Sequence, residues 1–113
     1  AIIKAAALEG VASLRAASES LLAAMAVGPE RGFAVSVPYL KLCGLVIGGW
    51  LMARSADIAA GLLASGDTDR EFLTAKLATT RFYADQILPQ VSGLQRIVQH
   101  GAASVLEVDA ALL

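Results

Sequence analysis

Ile3, Ala7, Val11, Leu14, Ser18, Leu21 and Met25 recur at intervals of three and four residues, the spacing that stacks side chains on one face of a helix. Lys4, Glu9, Ser13, Arg15 and Glu19 fall on other positions. The pattern predicts a first helix from about Ile2 to Met25. Gly28-Pro29 follows, and it reads as a stop. Glycine takes the left-handed conformation past a helix end, and proline cannot continue the hydrogen-bond ladder. Val27 to Val35 then reads as a connector.

A second helix is expected from Ser36, whose hydroxyl can cap an orphan amide, with Pro38 tolerated in a first turn that has no partner for its missing N–H. It should end before Gly66. Tyr39, Leu42, Val46, Gly49, Ala53, Ala56, Ala60 and Leu63 make one stripe, while Leu40, Ile47, Leu51, Ile58 and Leu62 cover much of the remaining surface. A helix apolar on most sides must be covered on most sides. In so small a bundle each helix keeps an outward face, so this helix is expected to present apolar surface to something beyond the chain.

The third helix opens on Thr68-Asp69-Arg70-Glu71, the pattern of a reciprocal capping box. Its seam is the most regular: Leu73, Leu77, Thr80, Ala84, Ile87, Val91, Leu94 and Val98 alternate steps of four and three, the period of antiparallel bundles. Pro89 removes the bond to the carbonyl of Asp85 and is expected to kink or split the helix before it ends at His100. The three rods would be roughly 36, 43 and 48 Å long at 1.5 Å per residue. Matched lengths and short turns predict an all-α, up-down-up antiparallel bundle as a single domain over residues 1–113. The tail from Ala102 to Leu113 carries Val105, Leu106, Val108, Leu112 and Leu113. It is too apolar for a solvated arm and should fold back or dock elsewhere.

Composition agrees. Apolar residues make up 57% of 113 positions, above the usual range of about 45–50%, and much of the excess is alanine and leucine, strong helix formers. Nine basic residues balance ten acidic ones without long runs, which argues against nucleic acid or an anionic membrane surface as partner. The most apolar segment, Leu42 to Ala53, is bounded by Lys41 and Arg54. It falls short of the roughly 20 residues a membrane span needs, so no span is expected. Cys43 is the single cysteine and allows no intrachain disulfide, which fits a reducing cytoplasm. Ala1-Ile2-Ile3-Lys4-Ala5-Ala6-Ala7 has neither an initiator Met nor a capping residue, and it reads as a helix entered partway, as in a piece of a longer protein.

Candidate chemistry is sparse. A zinc site needs several converging ligands, whereas the chain has one histidine, His100, far in sequence from Cys43. His100 is placed at a helix C-terminus, where the dipole favours a cation. Gly44, Gly48 and Gly49 lie in an apolar helical run without a preceding strand, so they do not read as a phosphate loop. Gly44-x-x-x-Gly48 leaves one helix face open to another backbone, and Trp50 beside it can fill a groove. Gly44, Gly48 and Trp50 are therefore the candidate packing interface, serving either intrachain packing or an external partner. The flanking charges Lys41, Arg54, Asp57, Lys76, Arg81 and Asp85 read as solvated or interdomain, with Arg81 and Asp85 one turn apart and weakly paired. No residue is assigned a catalytic, cofactor-binding or metal-binding role.

Val37-Pro38-Tyr39-Leu40-Lys41-Leu42 continuing to Gly48-Gly49-Trp50, and Lys76-Leu77-Ala78-Thr79-Thr80-Arg81-Phe82-Tyr83-Ala84-Asp85-Gln86-Ile87-Leu88-Pro89, resemble the C-terminal domain of one branch of the acyl-CoA dehydrogenases. That branch holds long-chain and 3-methylmercaptopropionyl-CoA dehydrogenases. The resemblance runs over essentially the whole chain and is most specific in the second segment. It implies a parent flavoenzyme that binds FAD, acts on acyl-CoA thioesters and carries its catalytic glutamate and most flavin contacts in preceding domains. For this chain it implies no cofactor of its own, and the catalytic core of the parent chain and further subunits of a homo-oligomer as partners. The alternative is a free-standing helical interaction module without enzymatic activity.

Overall fold

A computed structural model describes residues 2–113, and every regular element among them is helical. The reading of Ala1 lies outside the described residues. Helix α1 spans Ile2–Val27, α2 Pro29–Ala34, α3 Ser36–Ala64, α4 Arg70–Phe82, α5 Gln90–His100 and α6 Ala102–Leu106. A π turn, Tyr83–Ile87, joins α4 to α5, and a short 3₁₀ turn spans Ala110–Leu112.

Three rods pack as expected. The Ser18 and Tyr39 hydroxyls meet at 2.6 Å, while Ala7 and Leu8 lie beside Trp50 and Ala53, so α1 and α3 run antiparallel. Tyr83 donates to the carbonyl of Leu45, and Phe72 borders Leu62, which makes α4 antiparallel to α3. Gly10 faces Leu88 and Leu21 lies near Val98, so α5 runs parallel to α1. The result is the up-down-up bundle of the hydrophobic pattern.

The core is one cluster holding Ile3, Ala17, Val35, Leu42, Val46, Ala56, Ala84, Leu88, Val91 and Val98. Full burial of a leucine or valine of this kind stabilises by roughly 1.5–3 kcal/mol. The expected seam of the third rod holds well: Leu73, Thr80, Ala84, Val91 and Val98 are buried, and Leu77, Ile87 and Leu94 are half-buried. On α1 the expected stripe faces inward over most of its length, with Ile3 buried and Leu14, Ser18 and Leu21 half-buried, but small residues beside it go deeper. Ala7, Gly10 and Ala17 are buried, whereas Val11 and Met25 are exposed. Small side chains win this face because α1 lies close to α3 and α5; the side chain of Val46 is 3.5 Å from where a Cβ on Gly10 would stand.

Four local expectations are corrected. Gly28 ends α1 with φ −168° and ψ 129°, extended rather than left-handed, because Pro29 at once opens α2. The connector therefore holds a helical turn, whose Gly32 lies under the side chain of Met25. Ser36 does not cap α3: its hydroxyl donates backward to the carbonyl of Phe33 at 2.9 Å, and Val35 occupies the cap position. The box at Thr68 does not form. Asp67 accepts from the amide of Asp69 at 2.8 Å instead, and α4 starts at Arg70 without a side-chain cap.

At the other end of α3, Gly66 takes φ 84°, with Gly66 N–H bonded to Leu63 O and Asp67 N–H to Leu62 O. This is the paired closure that a left-handed residue permits, and glycine adopts it without a Cβ penalty. Pro89 splits the third rod as its chemistry demands. The turn before it widens, with Leu88 N–H reaching back five residues to Tyr83 O at 3.0 Å, which gives the proline ring room above Asp85.

The tail folds back in part. Helix α6 packs on α2 and α5, while Val108, Leu112 and Leu113 stay at least half exposed. The molecule measures 64 × 28 × 15 Å with a radius of gyration of 18.4 Å, against about 13 Å for a compact domain of this length.

Candidate packing interface

Helix α3 is apolar on two opposed faces, and the bundle covers one of them. The inner face buries Leu42, Val46, Gly49, Ala56 and Ala59. On the outer face Val37, Leu40, Ile47, Leu51 and Ile58 are each at least half exposed. Both faces follow three- and four-residue spacing, which explains why the helix shows no single apolar side.

The three candidate positions separate by face. At Gly48 a Cβ would collide with the Tyr83 hydroxyl, which donates to the carbonyl of Leu45 at 2.7 Å. Gly48 thus makes room within the chain for a tyrosine that ties the π turn to α3. Burial pushes the Tyr83 phenol above its ordinary value of 10.0 by disfavouring the charged form. Gly44 has nothing within 4 Å of its Cβ position and is exposed. Trp50 is half exposed, and the Arg54 guanidinium stands over its ring at 5.1 Å, within cation–π range.

Gly49, by contrast, meets Leu88, whose Cδ2 is 2.9 Å from a hypothetical Cβ. This contact and the Ser18–Tyr39 pair were not predicted from spacing. A second regular series on α1, Ala7, Gly10, Leu14, Ala17 and Leu21, carried the relevant signal, since small residues mark close helix approach.

The remaining chemistry-bearing groups do not converge. Arg81 Nε and Asp85 Oδ2 stand 3.6 Å apart and are largely exposed, worth a fraction of a kcal/mol, roughly 0–1. His100 is exposed at the end of α5, and Cys43 is half-buried and free. Among the described residues no group of three or more His, Cys, Asp or Glu lies close enough to hold a metal ion. No buried side-chain polar atom there lacks a hydrogen-bond partner. By length and hydropathy, α1 and α3 could each cross a membrane, and only 11% and 17% of their most apolar stretches are buried; two such helices are weak evidence of a span.

A family model for the acetyl-CoA dehydrogenase C-terminal-like domain matches residues 2–109. The chain is 42% identical over 84 residues to a 3-methylmercaptopropionyl-CoA dehydrogenase from Ruegeria pomeroyi, covering 74% of this chain and 14% of that protein. It is 32% identical over 78 residues to the broad-specificity linear acyl-CoA dehydrogenase FadE5 of Mycobacterium tuberculosis, covering 67% of this chain and 13% of that protein. The chain thus spans about one seventh of the length of the curated relatives it matches. No solved structure matches. With a match across nearly all its length and two relatives of the same enzyme class, the chain belongs to the acyl-CoA dehydrogenase C-terminal family.

Proposed function

We propose that this chain is the non-catalytic C-terminal domain of a larger, FAD-dependent acyl-CoA dehydrogenase in the cytoplasm, where it packs on the catalytic core or on a neighbouring subunit. The observation that carries the reading is the family match over residues 2–109, joined to the short share of each relative that the chain covers. The acyl-CoA substrate and the flavin belong to the rest of the parent.

In this reading the domain contributes no flavin contact of its own. The groove between α1 and α3 is bordered by Lys4, Leu8, Val11, Trp50, Arg54 and Asp57, an open mixture of apolar and charged groups. No catalytic step is therefore assigned to this domain.

A second reading, a free-standing interaction module, draws on the same outer face of α3. The coding sequence separates the two. The enzyme reading expects several hundred in-frame codons upstream, whereas a stop codon directly before Ala1 overturns it. The longer polypeptide, purified, is expected to show flavin absorbance and acyl-CoA-dependent reduction of an electron acceptor.

A further inference from the structure

We propose that α4 is a hinged strap, which lifts from α3 as one unit between the turn at Gly66 and the π turn while α1, α3 and α5 stay packed. Such a strap is a property of the bundle itself, independent of the parent enzyme's chemistry. The two halves of the third rod are held differently. Helix α5 packs on both α1 and α3 and places Val91 and Val98 in the main core cluster, whereas α4 packs along α3 and barely meets α1. Leu73 and Ala59 are buried and border one small cavity. Both stand outside the main cluster, to which α4 adds only the half-buried Leu77.

Polar ties are as few. Among the described residues no ion pair joins α4 to α3, since the Arg81–Asp85 pair lies within the third rod. The Arg70 guanidinium donates to the carbonyl of Leu63 at 3.4 Å in an exposed setting. The buried hydroxyl of Thr80 donates to the carbonyl of Leu77 inside α4, so lifting leaves it paired. The one firm bond, from Tyr83 to the carbonyl of Leu45 at 2.7 Å, sits at the root of α4. It fixes the pivot and leaves the strap free.

Both ends can turn. Gly66 at φ 84° carries the chain round from α3, and glycine moves between backbone regions at little cost. At the other end Leu88 N–H reaches back to Tyr83 O, and Pro89 has no donor with which to lock α4 to α5. Prolines and π turns are where helices bend. A helix of 13 residues is marginal in water by itself, so once lifted α4 loses its own hydrogen bonds as well. Local opening of this kind exposes little surface, and it responds weakly to denaturant where global unfolding responds strongly.

The test compares T80C on α4 with V91C on α5, each in a C43A background, in the 113-residue chain and in the longer polypeptide that carries it. Thr80 and Val91 are 2% and 3% exposed, so a thiol at either position reacts only when its helix opens. Without urea, T80C is expected to react with a thiol reagent roughly tenfold or more faster than V91C. Dilute urea should speed V91C steeply and T80C little. Hydrogen exchange of the unmodified chain checks the same point without substitution. Amides from Thr74 to Thr80 should share one level of protection, below that of Leu94 to Val98. Equal rates with equal urea dependence at the two cysteines, in either protein, overturn the strap, as does a common level of protection for α4 and α5. A gradient along α4 that reaches the α5 level at Thr80 overturns it too, because that pattern is fraying from one end.

Discussion

The two faces of α3 carry nearly the same apolar pattern and have opposite fates. Leu42 is fully buried and Leu40, two residues away, is 73% exposed. Gly49 is pressed by Leu88, while Gly44 has empty space above it. Periodicity says that a face wants cover. Which face the rest of the chain covers depends on where small residues let neighbours approach.

The contrast can be broken most forcefully at the leucines. Leu42→Ala should destabilise by about 2–5 kcal/mol through lost burial and a residual cavity. Leu40→Ala should stay within about 0.5 kcal/mol for the dilute monomer. Urea unfolding of both variants checks the pair, and equal losses would refute the assignment of faces.

Next in size is the hydroxyl that crosses from the π turn. Tyr83→Phe removes its bond to Leu45 and should cost about 1 kcal/mol, measured in the same way. The glycines then divide in sign. Gly44→Ala gains helix propensity in open space and should stabilise by about 0.5–1 kcal/mol. Gly48→Ala must displace Tyr83 and should come out less stable than Gly44→Ala by about 1–2 kcal/mol.

The smallest effect is alkaline. Because the folded-state pKa of Tyr83 is raised, its contribution is whole below the ordinary tyrosine value near 10. It is lost as pH rises through the folded value, since the unfolded chain gives up the proton first. Wild type should therefore lose slightly more stability than Tyr83→Phe above that pH, a difference read from paired melting curves.

Much of this was legible beforehand. The seam from Leu73 to Val98, the split at Pro89 and the surplus apolar face of α3 all follow from spacing and from proline's missing donor. Helix caps were the weak point. Ser36 and Thr68 have the right chemistry, but the Ser36 hydroxyl turns back to Phe33 and Asp67, not Thr68, takes the amide of Asp69; short polar side chains take whichever backbone group the local turn presents. The inward face of α1 was legible at Ile3, Ala7, Leu14, Ser18 and Leu21 but not at Gly10 and Ala17, because branched residues weigh more in a hydrophobic pattern than Ala and Gly, although the latter decide how near two helices can come. Of the candidate interface, the glycine pair was visible as a close-approach signal. That Gly48 serves an internal tyrosine and Gly44 faces outward depends on tertiary placement, which a spacing of four cannot encode.

The 64 Å length of the bundle bears on reach. A compact body the size of the Ruegeria relative, roughly 600 residues by the matched share, is itself only about 65 Å across. A rod of this length laid against such a body would run from one side to the other, so its two ends would meet different neighbourhoods. No single helix covers that distance: α3, the longest at 29 residues, spans about 43 Å, so the two ends of the molecule are built from different helices.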